Sequence, residues 1–454
     1  MADGRPGQGV MKMTQVIWYR SGTAPQTPED PADRADWETE QPDARFITIS
    51  PDHMREAFWS KMARPVQGIM YHGWGSLAPP LGEPGGYRFT HDDTWRVLQE
   101  LIRDVVRPLG PALKMIPDRQ TDVALLESFA SQMFARRGSS GWGKSWEADM
   151  HLILQWAQLQ PRVLYDETIV RDGLDDYQVL VMPNCDVLTR SVADEINAFQ
   201  RRGGIIIADE NLAPGVLADI HVQSISRRGK NAEEAKADLL VAAADLRAQL
   251  DDFYQRYGET SDPDVVPRFR QYGSTDYLFL VNDKRTYGDY VGHHGLVMEK
   301  GLAADVNVTV RRESGHVYDL VAHSPVAMQQ SEEGMRLDVS MDPGGGRLLM
   351  ITDRPVAGVS IDAPARARRG SQLEVKATIV DRDGQAIDAV VPVQVQLLDP
   401  ENREAERSGY YAARDGAVAV SFDVAGNDSS GEWTIRVTEL ASGVSRDHRI
   451  RVSP

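Results

Sequence analysis

The chain of 454 residues has a single cysteine, Cys185, so it can form neither an internal disulfide nor a cluster of thiolate metal ligands. Long apolar runs are missing too. The longest are of the Gly204–Ala208 kind, far short of the roughly 18 residues a membrane span needs. Cations are in deficit: 50 Lys and Arg stand against 67 Asp and Glu, a formal net charge of -17. That argues against a nucleic-acid partner, because a phosphate backbone is gripped by clustered Lys and Arg. No secretion signal is legible in Met1–Arg20, where Asp3, Arg5 and Lys12 break any apolar core. The compartment stays open between the cytoplasm and export within a longer chain. The bulk composition, 41% hydrophobic and 26% charged, is that of a globular protein of roughly three domains at about 150 residues each.

Residues 1–117 read as two β/α units. Gln15–Arg20 is a short strand, and the polar Ser21–Arg45 stretch after it is a loop of a length usually tied to function or disorder. Ser50 and Pro51 open a helix, as N-cap and first-turn residues. Met54, Ala57, Phe58 and Met62 form its apolar face. Val66–His72 is the next strand, and Thr90 caps a helix carrying Trp95, Leu98, Leu101, Ile102 and Val105. Such alternation builds a parallel sheet or barrel. Two units close nothing, since a (β/α)₈ barrel needs eight strands and about 250 residues. The expectation is the truncated C-terminal end of a TIM-type barrel.

Residues 118–258 carry a second α/β pattern. Val123–Ser128, Arg162–Ile169, Gln178–Pro183 and Ile205–Asp209 are strands, the third apolar enough for burial on both faces. Helices are expected over Glu147–Gln158 and Val192–Arg201, the latter ended by Gly203-Gly204. This is a doubly wound, flavodoxin-like order. Asn231–Tyr257 follows as a long amphipathic helix with Leu239, Ala243, Leu246, Leu250, Phe253 and Tyr257 on one side. From Tyr277 the period becomes two. Tyr277–Asn282, Val306–Arg311, Val317–Leu320, Met335–Val339 and Arg347–Thr352 form a β-sandwich within 259–356. Beyond a joint at Pro355–Ser360, residues 357–454 alternate through Leu373–Val380, Val391–Leu398, Ala417–Val424 and Trp433–Glu439. That spacing is immunoglobulin-like, with Trp433 as a core anchor. The fold class is multidomain α/β plus all-β.

Several groups invite a chemical reading and resist it. Flavodoxin-like folds also host glutamine amidotransferases with a Cys nucleophile, but Cys185 lies in Pro183–Asp186 without the glycines of a tight elbow. His293 and His294 point to opposite faces if they share a strand, and His316 adds no shared centre. Asp381, Asp383 and Gly384 look like half a calcium loop without its closing Glu, hence a turn. His91, Asp92 and Asp93 belong to a helix start, where the dipole favours carboxylates. No metal and no cofactor is implied.

Three stretches carry a family resemblance: Gln67–Ser76 (QGIMYHGWGS), Tyr177–Asp209 with its strand, helix, Gly-Gly and strand, and Tyr277–Asp283 (YLFLVND). In this order they resemble the C-terminal part of glycoside hydrolases of the β-galactosidase type, family 42, across roughly residues 10–355. The resemblance implies a catalytic barrel followed by a trimerisation domain and a sandwich, with carbohydrate as partner and a homotrimer as assembly. It places Gln67–Ser76 as the eighth barrel strand. Trp74, Tyr71 and His72 then sit at the active face, where a barrel's strands end, and an aromatic face can stack on a sugar ring. Retaining hydrolysis needs two carboxyl groups about 5 Å apart. The acid/base belongs after a fourth strand that this chain lacks, and no Glu ends VIWYR, the seventh. Glu29, Glu38 and Glu40 follow in the loop and could be recruited. The catalytic residues stay unassigned, and the isolated chain is expected to be inactive toward β-linked carbohydrate. The alternative is a non-catalytic carbohydrate-binding or oligomerisation scaffold built from the same domains.

Overall fold

The first parallel pair joins β1 (Met11–Gln15) to β2 (Gly68–His72), with α1 (Pro51–Met62) crossing between them in sequence. The computed structural model describes residues 8–19, 46–73, 91, 93–135, 146–287, 298 and 300–454. The pairing strand is Met11–Gln15, not the expected Gln15–Arg20. Ile17–Tyr19 instead turns away into an antiparallel pair with Phe46–Thr48. The reason lies in coverage: MKMTQ alternates Met with polar residues, which suits a strand with only one packed face. The expected cap Thr90 lies outside the described residues. α2 (Thr94–Leu101) begins where the Thr94 hydroxyl donates to the Ile49 carbonyl at 2.6 Å. It runs through a π turn, Ile102–Val106, into α3 (Arg107–Leu113). Pro108 and Pro111 have no N–H to give the preceding turn, and the wider turn, closed by Arg107 N–H on Ile102 O, takes up the mismatch.

The second unit is a five-stranded sheet. In chain order it contains β3 (Val123–Glu127), α4 (Trp146–Trp156), β4 (Arg162–Tyr165), β5 (Val179–Met182), α5 (Arg190–Arg201), β6 (Ile205–Ala208) and β7 (Ile220–His221). The spatial order is β4-β3-β5-β6-β7 and every pair is parallel. Val123, Leu125, Val179, Val181 and Ile207 face α4 and α6 (Ala232–Leu250), while Ala124, Leu126, Leu180, Met182 and Ile206 face α5. Alternation on strands covered from both sides forces this split. Two expectations are corrected. The strand read through Ile169 stops at Tyr165, because Asp166 and Glu167 supply the acidic first turn of a helix, Asp166–Asp172. The long helix, opened by an Asn231–Glu234 capping box, ends at Leu250 and not at Tyr257.

Two sandwiches complete the chain, antiparallel except where Arg366–Arg368 pairs in parallel with Ser445–Ser453. In the first, a five-stranded sheet containing β8 (Val265–Tyr272) and β9 (Thr275–Asn282) packs on a four-stranded one, with Leu278, Val306, Val308, Leu337 and Ile351 between them. In the second, the sheet of Gly358–Asp362, Gln372–Val380 and Ala417–Asp423 faces a five-stranded sheet. Three strands of that larger sheet, Arg366–Arg368, Gly409–Ala413 and Ser445–Ser453, are not among those expected from sequence. Trp433 is buried in its core, donating its indole N–H to Ser429 O at 2.9 Å.

The N-terminal units and the two sandwiches share an interior, while the parallel sheet keeps its own apolar clusters on its two faces. A single apolar cluster runs from Ile49, Phe58 and Leu109 through Tyr277 and Phe279 to Val391 and Val393. The Tyr277 hydroxyl donates to Val390 O (2.9 Å) and accepts from Val390 N (2.8 Å), latching the first sandwich to the second. The terminal sandwich is therefore packed into the molecule and is no trailing appendage.

Candidate functional site

The sequence placed its candidate residues at the C-terminal end of β2. There Met11, Met13 and Gln15 pair with Gly68, Met70 and His72, so these side chains share one face of the two-stranded sheet. That face is bare: Met11, Met13 and Met70 are 59%, 57% and 53% exposed. Ile69 and Tyr71, on the opposite face, pack against the apolar cluster that α1 and α2 share. Tyr71 and His72 thus point apart. Burial pushes the Tyr71 phenol up to about 12, while His72 is exposed on the bare side. Trp74, Glu29, Glu38 and Glu40 lie outside the described residues. Thr94 rather than Asp93 anchors the next helix: the Asp93 carboxylate at its N-cap accepts from Arg96 Nη1 at 2.9 Å and not from the helix backbone, and Asp92 lies outside the described residues.

The strand ends of the parallel sheet are a second place where polar groups converge. Asp209 follows β6 and is 1% exposed. Its Oδ2 accepts from the Trp146 indole (2.6 Å) and Asn184 N (2.8 Å), and its Oδ1 from Asn211 N (2.8 Å). Asp166 follows β4 and accepts from Ala130 N (3.0 Å) and Ser128 Oγ (3.3 Å). Burial is the first cause that raises both carboxyls above their ordinary range. These bonds join loops from different strands, which is a structural role. Cys185 is fully buried, its Sγ donating to Pro183 O at 3.4 Å. Burial, and then the carboxylates of Asp209 and Asp166, push the thiol well above its usual range. A nucleophile must ionise and be reached, and Cys185 does neither.

The other candidates also resolve. His316 is exposed on Gly-flanked strand His316–Asp319, and His293-His294 lie outside the described residues. Asp381 accepts from the N–H groups of Asp383 (2.9 Å) and Gln385 (2.8 Å) and pairs with Arg354, a turn tied by its own carboxylate. Among the described residues no three His, Cys, Asp or Glu are grouped to hold a metal ion, and no helix is long and apolar enough to cross a membrane.

No family model matches the chain, and no curated protein matches its sequence. Among solved structures it is similar to alpha-L-fucosidase isoenzyme 2 from Paenibacillus thiaminolyticus, at 13% identity and a TM-score of 0.45, over 67% of this chain and 57% of that one. It is similar to the β-galactosidase from Bacillus circulans sp. alkalophilus, at 13% identity and a TM-score of 0.44, over 67% and 52%. A β-galactosidase from Rahnella sp. R3 matches at 12% identity and a TM-score of 0.40, over 67% and 52%. The chain thus spans little more than half the length of each.

Proposed function

We propose that the chain is the C-terminal portion of a glycoside-hydrolase-like protein acting on β-linked carbohydrate. In this reading residues 1–117 are the last β/α units of a barrel and 118–258 a flavodoxin-like, trimerisation-type domain. Residues 259–356 are a supporting sandwich and 357–454 an immunoglobulin-like one. The observation that carries it is the bare face of β1 and β2. Two neighbouring parallel strands covered by helices on one side, with Met11, Met13 and Met70 uncovered on the other, are what two barrel strands look like without the rest of the ring. His72 and Trp74 are then the proposed sugar contacts, and Tyr71, packed on the opposite face, holds the strand against the helices.

Catalysis needs a carboxyl pair across the scissile bond, and the barrel strand that would carry the acid/base is not among these two. Purified chain is expected to give no turnover of nitrophenyl β-glycosides above a blank without protein. Hydrolysis that disappears on Glu38→Gln or Glu40→Gln would overturn this and identify a recruited carboxylate.

The assembly is proposed to be a trimer formed through residues 118–258. Phe129, Met133 and Phe134, on the helix after β3, are 54%, 53% and 77% exposed, and apolar surface of that kind favours association. The bare methionine face is the competing cause. Light scattering is expected to give one discrete trimer both for the native chain and for a Met13→Lys, Met70→Lys variant. A monomer in either sample removes the trimerisation claim.

A further inference from the structure

A cleft of about 460 Å³ opens between α1, α4 and β8, with β1 and the start of α6 at its margins. In a chain with an excess of acid, its walls carry six cations, Lys12, Lys61, Arg64, Lys236, Arg268 and Arg285, against the carboxylates of Glu56 and Asp283. Half of the cations are neutralised. Lys236 lies 2.6 Å from Asp264, Arg285 pairs with Asp283, and Arg268 Nη2 lies 2.8 Å from Asp118. Among the described residues Lys12, Lys61 and Arg64 form no ion pair; the Lys61 ammonium donates to Ala57 O at 3.0 Å. Two donors in the same walls, Arg268 Nε and the Trp156 indole N–H, are buried without a partner. Arg268 and Trp156 thus each bring a spare N–H.

These charges oppose one another. Arg64 is pushed down to about 9, first by the Arg268 cation and then by burial. Lys12 is lowered by burial and then by Arg64 and Arg268. A fold gains nothing in stability from gathering like charges in a partly desolvated cleft, which points to a ligand of opposite sign.

We propose that this cleft binds a divalent oxyanion, sulfate or phosphate, free or as the ester group of a small molecule, held by Lys12 and Arg64 together with the Arg268 Nε–H that its pair with Asp118 leaves over. The three cations come from a strand, the end of a helix and a sheet of the sandwich, so they approach from different directions. That suits a tetrahedral anion better than a flat carboxylate, with the guanidinium forks giving paired bonds. The volume falls within the roughly 300–1,000 Å³ of small-molecule sites and leaves room for an organic group beside Trp156.

Isothermal titration of the full chain at fixed ionic strength, with inorganic phosphate, glucose 6-phosphate and glucose, tests the site. Both phosphates are expected to bind and glucose is not. A tighter ester assigns the site to a phosphorylated molecule, and equal affinities assign it to the free ion. Lys12→Gln and Arg64→Gln should each weaken binding about tenfold, the size of one lost charge-assisted contact. Neither should lower the melting temperature of the ligand-free chain, since each removes a repulsion. Absence of heat with both phosphates, unchanged affinity in both variants, or a melting temperature that falls with either substitution would overturn the proposal.

Discussion

Replacing Arg270 by glutamine is expected to cost the chain about 3–5 kcal/mol of stability, the usual scale for breaking a buried, fully bonded charge. Arg270 lies on β8 and is 1% exposed. Its Nε donates to Ile116 O at 2.9 Å, Nη1 to Met62 O at 3.4 Å, and Nη2 to both Leu113 O and Ile116 O. Met62 and Leu113 are the last residues of α1 and α3. Carbonyls at a helix C-terminus have no partner within the helix and carry the negative end of its dipole. One guanidinium therefore closes two helix ends and ties the N-terminal units to the sandwich. Burial lowers its pKa to about 10, still high enough to keep it charged. Leu113 O keeps the Ile116 N–H at 3.4 Å, but glutamine offers one short amide to the carbonyls of Met62 and Ile116, and each carbonyl left bare costs about 1–3 kcal/mol. The first urea transition should move to lower denaturant with loss of near-ultraviolet dichroism. A shift worth less than about 1 kcal/mol would mean that water replaces the guanidinium at no loss.

How far this arrangement was legible depends on whether the deciding interaction is local. The parallel sheet was, because VALLE, QVLVMP and GGIIIAD are apolar runs between helical segments, and strands covered on both faces need nothing subtler. The end of α6 was not. Phe253 and Tyr257 continue its apolar spacing, yet Phe253 is 72% exposed. Tyr257 belongs to the sandwich, its ring edge-on to Phe269 at 5.1 Å and its hydroxyl donating to Asp276 at 2.6 Å. Arg256, donating to Ala157 O at 2.7 Å, pulls the chain off the helical path. Periodicity lost there to contacts that no local window contains. Ser445–Ser453 hid for the opposite reason: Arg446, Asp447, Arg449 and Arg451 mask an alternation that buries Ile450 and Val452. The cationic cleft was beyond any motif. Lys12, Arg64, His151 and Arg268 come from four separate elements, and only the packing of α1 and α4 on β8 brings them together.

Acid is expected to weaken the fold well above the carboxylate range, through two histidines in that cleft. His53 is lowered to about 3 by burial, then by Arg285 and Lys61. His151 is lowered to about 3 by burial, then by Arg64, Arg268 and Lys12. In the unfolded chain both return to an ordinary value near 6.5. Between 6.5 and 3 the unfolded state therefore binds more protons than the folded one, so stability is full above about pH 6.5 and falls as the pH drops. At pH 5 each ring should cost about 1–2 kcal/mol and the pair about 2–4, after allowance for their partial contact with solvent. Asp149, Asp166 and Asp209 act in the other direction. Burial raises their folded pKa, so they take up protons more readily in the folded state and favour it as the pH falls. Their contribution begins as the pH falls through their raised folded range, so it offsets part of what the two rings lose. Urea midpoints at pH 7.5 and 5.0 should thus differ clearly in the native chain, and the difference should shrink in a His53→Gln, His151→Gln variant. An equal difference in both chains would place the acid sensitivity elsewhere and remove these two rings from its cause.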